Sequence, residues 1–175
     1  MKTTRKGFTL IELIVVIAII GVLAAILVPS MLGYVKKSKV SSANSAANSL
    51  QKAINTALVE LDEESQEAGT ITALNFVKGT ATGVDFTPAN MSDGTAFNGA
   101  DFKKKVDNYM EKAKEKTWYA SCKDGVCVAC AIQIDDTYTG AAPGGVVTVD
   151  NYTKYSKSAS NACASAKSVY DKSVS

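Results

Sequence analysis

The first third of the chain carries two successive apolar patterns. From Phe8 to Leu32 almost every residue is apolar, and this run is long enough to span a bilayer as a helix. Beyond Tyr34 apolar residues recur every three or four positions as far as Leu61, which is the spacing of an amphipathic helix. Neither Gly nor Pro interrupts this second pattern, so the sequence predicts one helix from Phe8 to about Asp62.

The rest of the chain alternates short apolar segments with turn-forming residues. Residues 70–100 are rich in Gly, Thr, Asn and Ser and predict an irregular connection with one or two short strands. Residues 101–116 predict a helix that is capped by Asp101. Apolar runs at 117–123 and 126–134 flank Asp124-Gly125 and predict a β-hairpin. A third strand is predicted over residues 145–149 and a short helix over residues 161–170.

These elements together predict an α+β fold, in which a long N-terminal α-helix packs on a small antiparallel β-sheet. The apolar half of the helix is expected to protrude, and the amphipathic half is expected to contact the sheet. Three regions follow from this interpretation. Residues 1–7 form a short basic leader, residues 8–33 form an apolar helix of membrane-spanning length, and residues 34–175 form a globular domain that includes the amphipathic half of the helix.

Glu12 is the one charged residue between Lys6 and Lys36. A carboxylate near the middle of a membrane helix costs roughly 2.5–3.5 kcal/mol on insertion scales, so an acid here calls for a partner. The basic stretch before the apolar run ends in Gly7. Cleavage after Gly7 would create a new α-amino group on Phe8, four residues before Glu12, and this amine is a candidate for the missing cation.

The segment KGFTLIE at residues 6–12, heading a long apolar helix, resembles the prepilin motif of type IV pilins and related pseudopilins. The resemblance implies that a prepilin peptidase cleaves between Gly7 and Phe8 and methylates the new amine of Phe8. It further implies that Glu12 pairs with the Phe8 amine of a neighbouring subunit during filament assembly. Gly21 and Pro29 match the helix-weakening pair of the family.

The resemblance therefore implies a structural role. The chain would be a single-pass membrane protein whose globular domain lies outside the cytoplasm. The pilus assembly machinery would then add copies of it to a helical surface filament used for adhesion, motility or DNA uptake, and nucleic acid would be contacted only through that filament. A pseudopilin of a type II secretion or competence system is the alternative within the family. A membrane-tethered binding module that does not polymerise is the alternative from another class.

The composition argues against catalysis and against binding of nucleic acid by a single chain. There is no histidine, which removes Ser-His and Cys-His nucleophile pairs, and the sequence predicts neither an enzyme nor a cofactor. Loss of the three basic residues of the leader would leave 16 basic residues against 17 acidic ones, near neutrality. Asp135-Asp136 could contribute to a calcium site, although such a pair is more often a solvated turn.

The four cysteines admit three disulfide connectivities. Across the Asp124-Gly125 turn, Cys122 is expected to face Cys127, with Cβ atoms about 4.5–5.5 Å apart. Cys130 lies an odd number of residues from Cys127 and is therefore expected on the opposite face of the sheet. This favours Cys122–Cys127 and Cys130–Cys163, and the second link resembles the C-terminal disulfide loop of many type IV pilins. A redox pair of Cys127 and Cys130, or a zinc or iron–sulfur site, remains an alternative, and no metal is predicted.

Overall fold

The computed structural model describes residues 7–79 and 82–175, so the predicted leader lies outside the described residues except for Gly7. The longest element, α1, spans Leu10–Glu63 and contains 54 residues. The prediction of one long N-terminal helix is confirmed. The chain divides into two compact units, one that runs as far as Ser38 and one that spans Lys39–Ser175.

The first unit consists mainly of the apolar part of α1, and its side chains are exposed. Every large apolar residue from Leu10 to Val35 is exposed, and Ile20, for example, keeps 58 % of its surface accessible. By length and composition, α1 is the one helix in the described part of the chain that could cross a membrane. No described residue of this unit buries the apolar surface, so this surface is available to a lipid bilayer or to other chains.

The second unit is built on a single antiparallel sheet with the strand order β2-β1-β3-β4-β5. Its strands are β1 (Ala73–Phe76), β2 (Asp85–Thr87), β3 (Trp118–Lys123), β4 (Val126–Gln133) and β5 (Thr139–Ala142). The predicted α+β class, the two short strands in the connection and the hairpin of β3 with β4 are confirmed. The Asp124-Gly125 turn has positive φ at both residues, which is the backbone of a two-residue hairpin turn.

The two faces of the sheet are covered by different helices. The amphipathic half of α1 covers one face, while α3 (Ala159–Ser173) covers the other. The larger apolar cluster contains Leu50, Ile54, Leu58 and Leu61 of α1 together with Trp118 and Ile132 of the sheet. The smaller cluster contains Ala162, Cys163 and Ala166 of α3 together with Ala129 and Ala131 of β4. Because β4 is buried on both faces, its sequence is continuously apolar rather than alternating.

The predicted third strand at residues 145–149 is wrong, because the strand beside β4 is Thr139–Ala142. Gly140 makes this position possible, since a Cβ built there would lie 1.8 Å from the carbonyl oxygen of Ala43 on α1. Asn44 then joins the helix to this edge, because its Oδ1 accepts from Ala141 N at 3.2 Å and its Nδ2 donates to Val147 O at 2.9 Å. The two buried valines at 146 and 147 belong to the core without forming a strand.

The helix predicted over residues 101–116 is shorter and starts earlier. Helix α2 spans Gly99–Tyr109 and is followed by a short 3₁₀ turn over Glu111–Ala113. Asn98 is the cap, because its side chain accepts from Asp101 N at 3.1 Å, so the prediction that Asp101 caps the helix is wrong. The helix ends where Met110 leaves helical geometry and turns its side chain into the core.

The acidic end of α1 is neutralised by a lysine of α2. Lys105 lies 2.6 Å from Glu64 and 3.6 Å from both Glu60 and Asp101. Tyr109 also donates a hydrogen bond to Glu60. The hydrogen bond to Glu64 is the largest cause that raises the pKa of Lys105 above its usual value. Acids at a helix C-terminus oppose the helix dipole, so this cation offsets an otherwise unfavourable arrangement.

Candidate processing and assembly site

Thr9 and Glu12 form a reciprocal cap at the start of α1. The hydroxyl oxygen of Thr9 accepts from the backbone N–H of Glu12 at 3.3 Å. In return, Glu12 Oε2 accepts from the Thr9 backbone N–H at 2.8 Å and from the Thr9 hydroxyl at 2.7 Å. Threonine and glutamate at this three-residue spacing constitute a capping box, which satisfies backbone donors that the first turn of a helix leaves unpaired.

The capping box changes the interpretation of Glu12. The carboxylate has two hydrogen-bond donors within its own chain, and sequence reasoning missed them although Thr9-x-x-Glu12 is a readable signature. Among the described residues, Glu12 forms no ion pair. Hydrogen bonds from Thr9 therefore orient the carboxylate, while its negative charge remains without a cation.

Gly7 and Phe8 precede the first helical residue and are open to approach. Phe8 keeps 85 % of its surface accessible, and a Cβ built on Gly7 would meet no atom within 4 Å. A protease requires an accessible backbone, and both residues are exposed and lie outside regular secondary structure. The capped helix begins two residues further on, at Leu10.

Gly21 and Pro29 both lie inside the continuous helix α1. A Cβ at Gly21 would meet no atom within 4 Å, so packing within the chain does not require a glycine there. Glycine costs roughly 1 kcal/mol relative to alanine in a helix interior, and proline removes one backbone hydrogen bond. The weakening role of this pair stays a prediction.

The four cysteines are buried, and none is bonded to another in this structure. Cys122 and Cys127 are direct cross-strand partners, as predicted. The predicted face of Cys130 is wrong, because a β-bulge interrupts the register of β3 with β4 between Ser121 and Cys122. The extra residue reverses the alternation along β4, so Cys130 lies on the α1 face together with Cys122 and Cys127.

Cys130 and Cys163 approach the sheet from opposite sides. The thiol of Cys130 donates to Ala47 O of α1 at 3.2 Å. The sulfur of Cys163, on α3, lies 3.7 Å from the Ser121 hydroxyl and 3.8 Å from Ala129 O. Burial is the largest cause that raises the pKa of the Cys163 thiol. This arrangement does not favour the predicted link between these two residues.

The Asp135-Asp136 pair is engaged with groups of the chain itself. Asp135 Oδ1 accepts from the backbone N–H of Thr137 and of Tyr138, both at 2.8 Å. Asp136 pairs with Lys157 at 3.1 Å. Across residues 7–79 and 82–175, no group of three or more acidic or cysteine side chains is arranged to hold a metal ion.

An exposed apolar helix that starts with a capped glutamate and leads into an α+β domain fits a protein anchored in a membrane through its N-terminus. Comparison with known families agrees with this class. Residues 2–28 match the prokaryotic N-terminal methylation motif. The match contains Gly7, Phe8 and Glu12, so it includes the predicted cleavage and assembly positions.

Part of the chain is also similar to bacterial fimbrial proteins. It is 38 % identical over 96 residues to the type IV major fimbrial protein FimA of Dichelobacter nodosus, a match that covers 55 % of this chain and 57 % of FimA. It is 37 % identical over 91 residues to a fimbrial protein of Pseudomonas aeruginosa, covering 52 % of this chain and 54 % of that protein. A fimbrial protein of Moraxella nonliquefaciens is 52 % identical over 52 residues, covering 30 % and 34 %.

These similarities confirm the predicted resemblance to type IV pilins. The chain spans a little over half the length of FimA in its alignment with that protein. No solved structure matches the chain significantly.

Proposed function

We propose that this protein is the structural subunit of a type IV pilus. In this proposal the membrane holds it by α1 after a prepilin peptidase removes the leader, and assembly machinery then transfers it into a helical surface filament. Glu12 is the observation that carries the proposal. It is the one charge in an exposed apolar segment, and it stands four residues after the bond that processing would cut.

The exposed surface of α1 supports both stages of this life cycle. Apolar side chains such as Ile14, Ile17 and Leu23 are about half exposed or more among the described residues. A bilayer would remove this surface from water before assembly, and the helices of neighbouring subunits would do so afterwards. Transfer from one apolar environment to the other avoids exposing this surface to water.

Glu12 would give this otherwise non-specific packing a defined register. Apolar contacts between helices tolerate sliding, whereas an unpaired charge in an apolar environment is costly. In the single chain the carboxylate accepts two hydrogen bonds from Thr9. In the filament the same carboxylate would also face the cationic amine of Phe8 from a neighbouring subunit, and a charge-assisted hydrogen bond of this kind is stronger than a neutral one.

The geometry of such a filament follows from the use of two different surfaces on each subunit. The amine at the start of one helix would meet the carboxylate of another, so the contact is heterologous rather than self-complementary. Heterologous contacts that do not close into a ring generate open helical fibres. Growth would therefore continue by adding processed subunits from the membrane.

The test is replacement of Glu12 by alanine, with Asp62→Ala as the matched control. Asp62 lies on the same helix, is exposed and belongs to the second unit, so its loss also removes one carboxylate. We expect Glu12→Ala to leave the amount of membrane-bound protein unchanged and to abolish filaments in the sheared surface fraction viewed by electron microscopy. Asp62→Ala should assemble normally.

Normal filaments from Glu12→Ala would refute the pairing. The absence of this chain from filaments of the unmodified strain would instead point to a tethered module that does not polymerise. Short structures confined to the cell envelope would favour the pseudopilin.

A further inference from the structure

The hairpin of β3 and β4 places Cys122 directly opposite Cys127. Its turn residues, Asp124 and Gly125, have φ values of 51° and 76°, and Lys123 pairs with Val126 next to the turn. Behind a two-residue turn, this closing pair exchanges backbone hydrogen bonds and the next pair does not. The next pair is Cys122 with Cys127.

Cys122 and Cys127 form a non-hydrogen-bonded pair, because their backbone groups donate to and accept from residues other than each other. Cys122 N donates to Thr72 O at 2.8 Å, on the side of β3 away from β4. Cys127 N donates to Asn55 Oδ1 at 2.7 Å, and Cys127 O accepts from Gln51 Nε2 at 2.9 Å. Non-hydrogen-bonded pairs have Cα atoms about 4.5 Å apart with their side chains close together, and this separation lies within the disulfide range.

Neither of the other two cysteines has a cysteine opposite it in the strand register, although the Cys130 thiol approaches Cys127 on the same face of the sheet. The residue opposite Cys130 in the register is Ala120, and the Cys130 thiol donates to Ala47 O on the α1 face. Cys163 contacts Ser121 and Ala129 on the α3 face. The bulge reverses the alternation of side chains along β4 and so places Cys130 on the face opposite Cys163. A bond between Cys130 and Cys163 would therefore have to pass through the sheet.

We propose that the folded protein contains a single disulfide, Cys122–Cys127, that this bond forms before the hairpin docks on α1, and that Cys130 and Cys163 remain thiols. The bond closes the tip of the hairpin rather than a C-terminal loop. Formation of the disulfide requires an oxidising compartment, so this proposal rests on the proposed extracytoplasmic location of the domain.

Burial of the two cysteines requires that the disulfide form before the hairpin docks on α1. In the folded chain Cys122 and Cys127 keep 4 % and 1 % of their surface accessible, and Gln51 and Asn55 of α1 hold the backbone of Cys127. The neighbouring Cys127 thiol and burial both raise the pKa of Cys122, so the reactive thiolate is scarce there. An oxidant can therefore reach the pair only while the hairpin is undocked.

The chemistry is a thiol–disulfide exchange with an oxidising protein disulfide of that compartment. One cysteine thiolate attacks the disulfide of the oxidant and forms a mixed disulfide, and the second cysteine then displaces the oxidant. Two protons and two electrons leave the pair, the sulfur–sulfur bond forms, and the oxidant departs as a dithiol. Cys130 and Cys163 take no part.

The connectivity is tested on full-length protein extracted in detergent from cells whose thiols are first trapped with iodoacetamide under denaturing conditions. We expect two alkylated residues, Cys130 and Cys163, and a tryptic fragment in which Cys122 is linked to Cys127. The variants Cys130→Ser and Cys163→Ser should retain this link, whereas Cys122→Ser should lose it. Four alkylated cysteines, or a link that involves Cys130 or Cys163, would overturn the proposal.

The order of events is tested separately on protein that has been reduced in urea, refolded with a reductant and then transferred to oxidised glutathione. We expect oxidation to be at least tenfold slower in the refolded protein than in the same protein kept in urea. Equal rates would overturn the claim that the bond precedes docking. Filament yield from the same cells reports on the proposed function independently, since Cys122→Ser alters the hairpin and leaves Phe8 and Glu12 unchanged.

Discussion

At the start of α1, Thr9 and Glu12 satisfy each other's polar groups, so a single chain can hold the carboxylate in a fixed position before any partner arrives. A cap of this kind stabilises a helix by about 0.5–2 kcal/mol. The N–H and hydroxyl groups of Thr9 are hydrogen-bond donors to the Glu12 carboxylate, but neither carries a positive charge. We therefore separate two roles of Glu12, one as a helix cap within the chain and one as the proposed ion-pair partner of a second chain.

The amine of Phe8 depends on processing, and this dependence gives a prediction for Gly7. Replacing Gly7 by aspartate puts a charged side chain at the predicted cleavage position, so we expect the uncut precursor to accumulate and filaments to be absent although Glu12 is intact. The mass of the membrane-bound chain and electron microscopy of the sheared fraction measure the two effects. Gly33→Ala is the control, because Gly33 is also exposed and a Cβ there meets no atom within 4 Å.

Filaments built from uncut Gly7→Asp precursor would contradict the claim that the Phe8 amine is required. Efficient cleavage of this variant would contradict the assignment of the cleavage position instead. The two measurements therefore separate recognition by the peptidase from assembly.

At the scale of elements, the contact between β5 and α1 depends on a residue without a side chain. A Cβ at Gly140 would lie 1.8 Å from Ala43 O and 2.2 Å from the Ala43 carbonyl carbon. Both atoms belong to the backbone of a helix and cannot rotate away. The glycine therefore lets the helix cover the edge strand, and an exposed edge is otherwise a template for unwanted pairing.

We predict that Gly140→Ala destabilises the domain by about 1–3 kcal/mol, the usual range for overpacking, because the helix and strand must separate. Urea unfolding followed by circular dichroism measures the loss. Gly144→Ala is the matched control, since a Cβ at Gly144 meets no atom within 4 Å. Equal stability of the two variants would show that α1 and β5 are not in the close contact described above.

The attachment of α2 to the end of α1 depends on charge. Lys105 reaches Glu60 of α1 and Glu64 just after α1, as well as Asp101 of its own helix. Its raised pKa means that the folded state binds the proton more tightly than the unfolded state. This contribution to stability is fully present below the usual pKa of 10.5 and is lost as the pH rises through the higher folded value.

We therefore predict that Lys105→Met lowers the melting temperature at pH 7, and that the difference from the unmodified protein shrinks as the pH rises above about 10.5. Thermal melts of both proteins across this range measure the effect, and groups that titrate there without interacting with Lys105 cancel in the difference. Lys104→Met is the control, because Lys104 is exposed and forms no ion pair in the described part of the chain. A difference that stays constant with pH would contradict the role of the charge.

At the scale of the whole molecule, burial is confined to one of the two units. All of the buried residues in the described part of the chain lie between Val40 and Ala166. The unit that ends at Ser38 contributes exposed apolar surface and no core. Folding of the domain and anchoring of the chain therefore use different parts of the sequence.

We predict that a chain beginning at Lys39 folds as a soluble monomer, because it retains every buried residue and loses the exposed apolar segment. Size-exclusion chromatography and circular dichroism provide the measurement. The same chain with residues 8–38 restored should require detergent. Aggregation of the shortened chain would show that the domain needs the first part of α1 in order to fold.

The hydrophobic pattern alone determined the long helix, the hairpin at Asp124-Gly125 and the membrane-length run around Glu12. These features depend on neighbours a few residues apart, so local periodicity and turn chemistry are sufficient to predict them. The motif at residues 6–12 was readable for the same reason, and so was the capping box that the sequence interpretation overlooked.

Tertiary structure decided the features that depend on distant contacts. The bulge between β3 and β4 moved Cys130 to the α1 face, and a one-residue change of alternation cannot be read from spacing. Strand β5 forms where Gly140 lets α1 approach, not where the valines predicted it. Two of the partners of Lys105 come from the end of α1 and the residue that follows it, namely Glu60 and Glu64. For β5 and for Lys105 the deciding contact joins residues far apart in the chain, and only the folded chain brings them together.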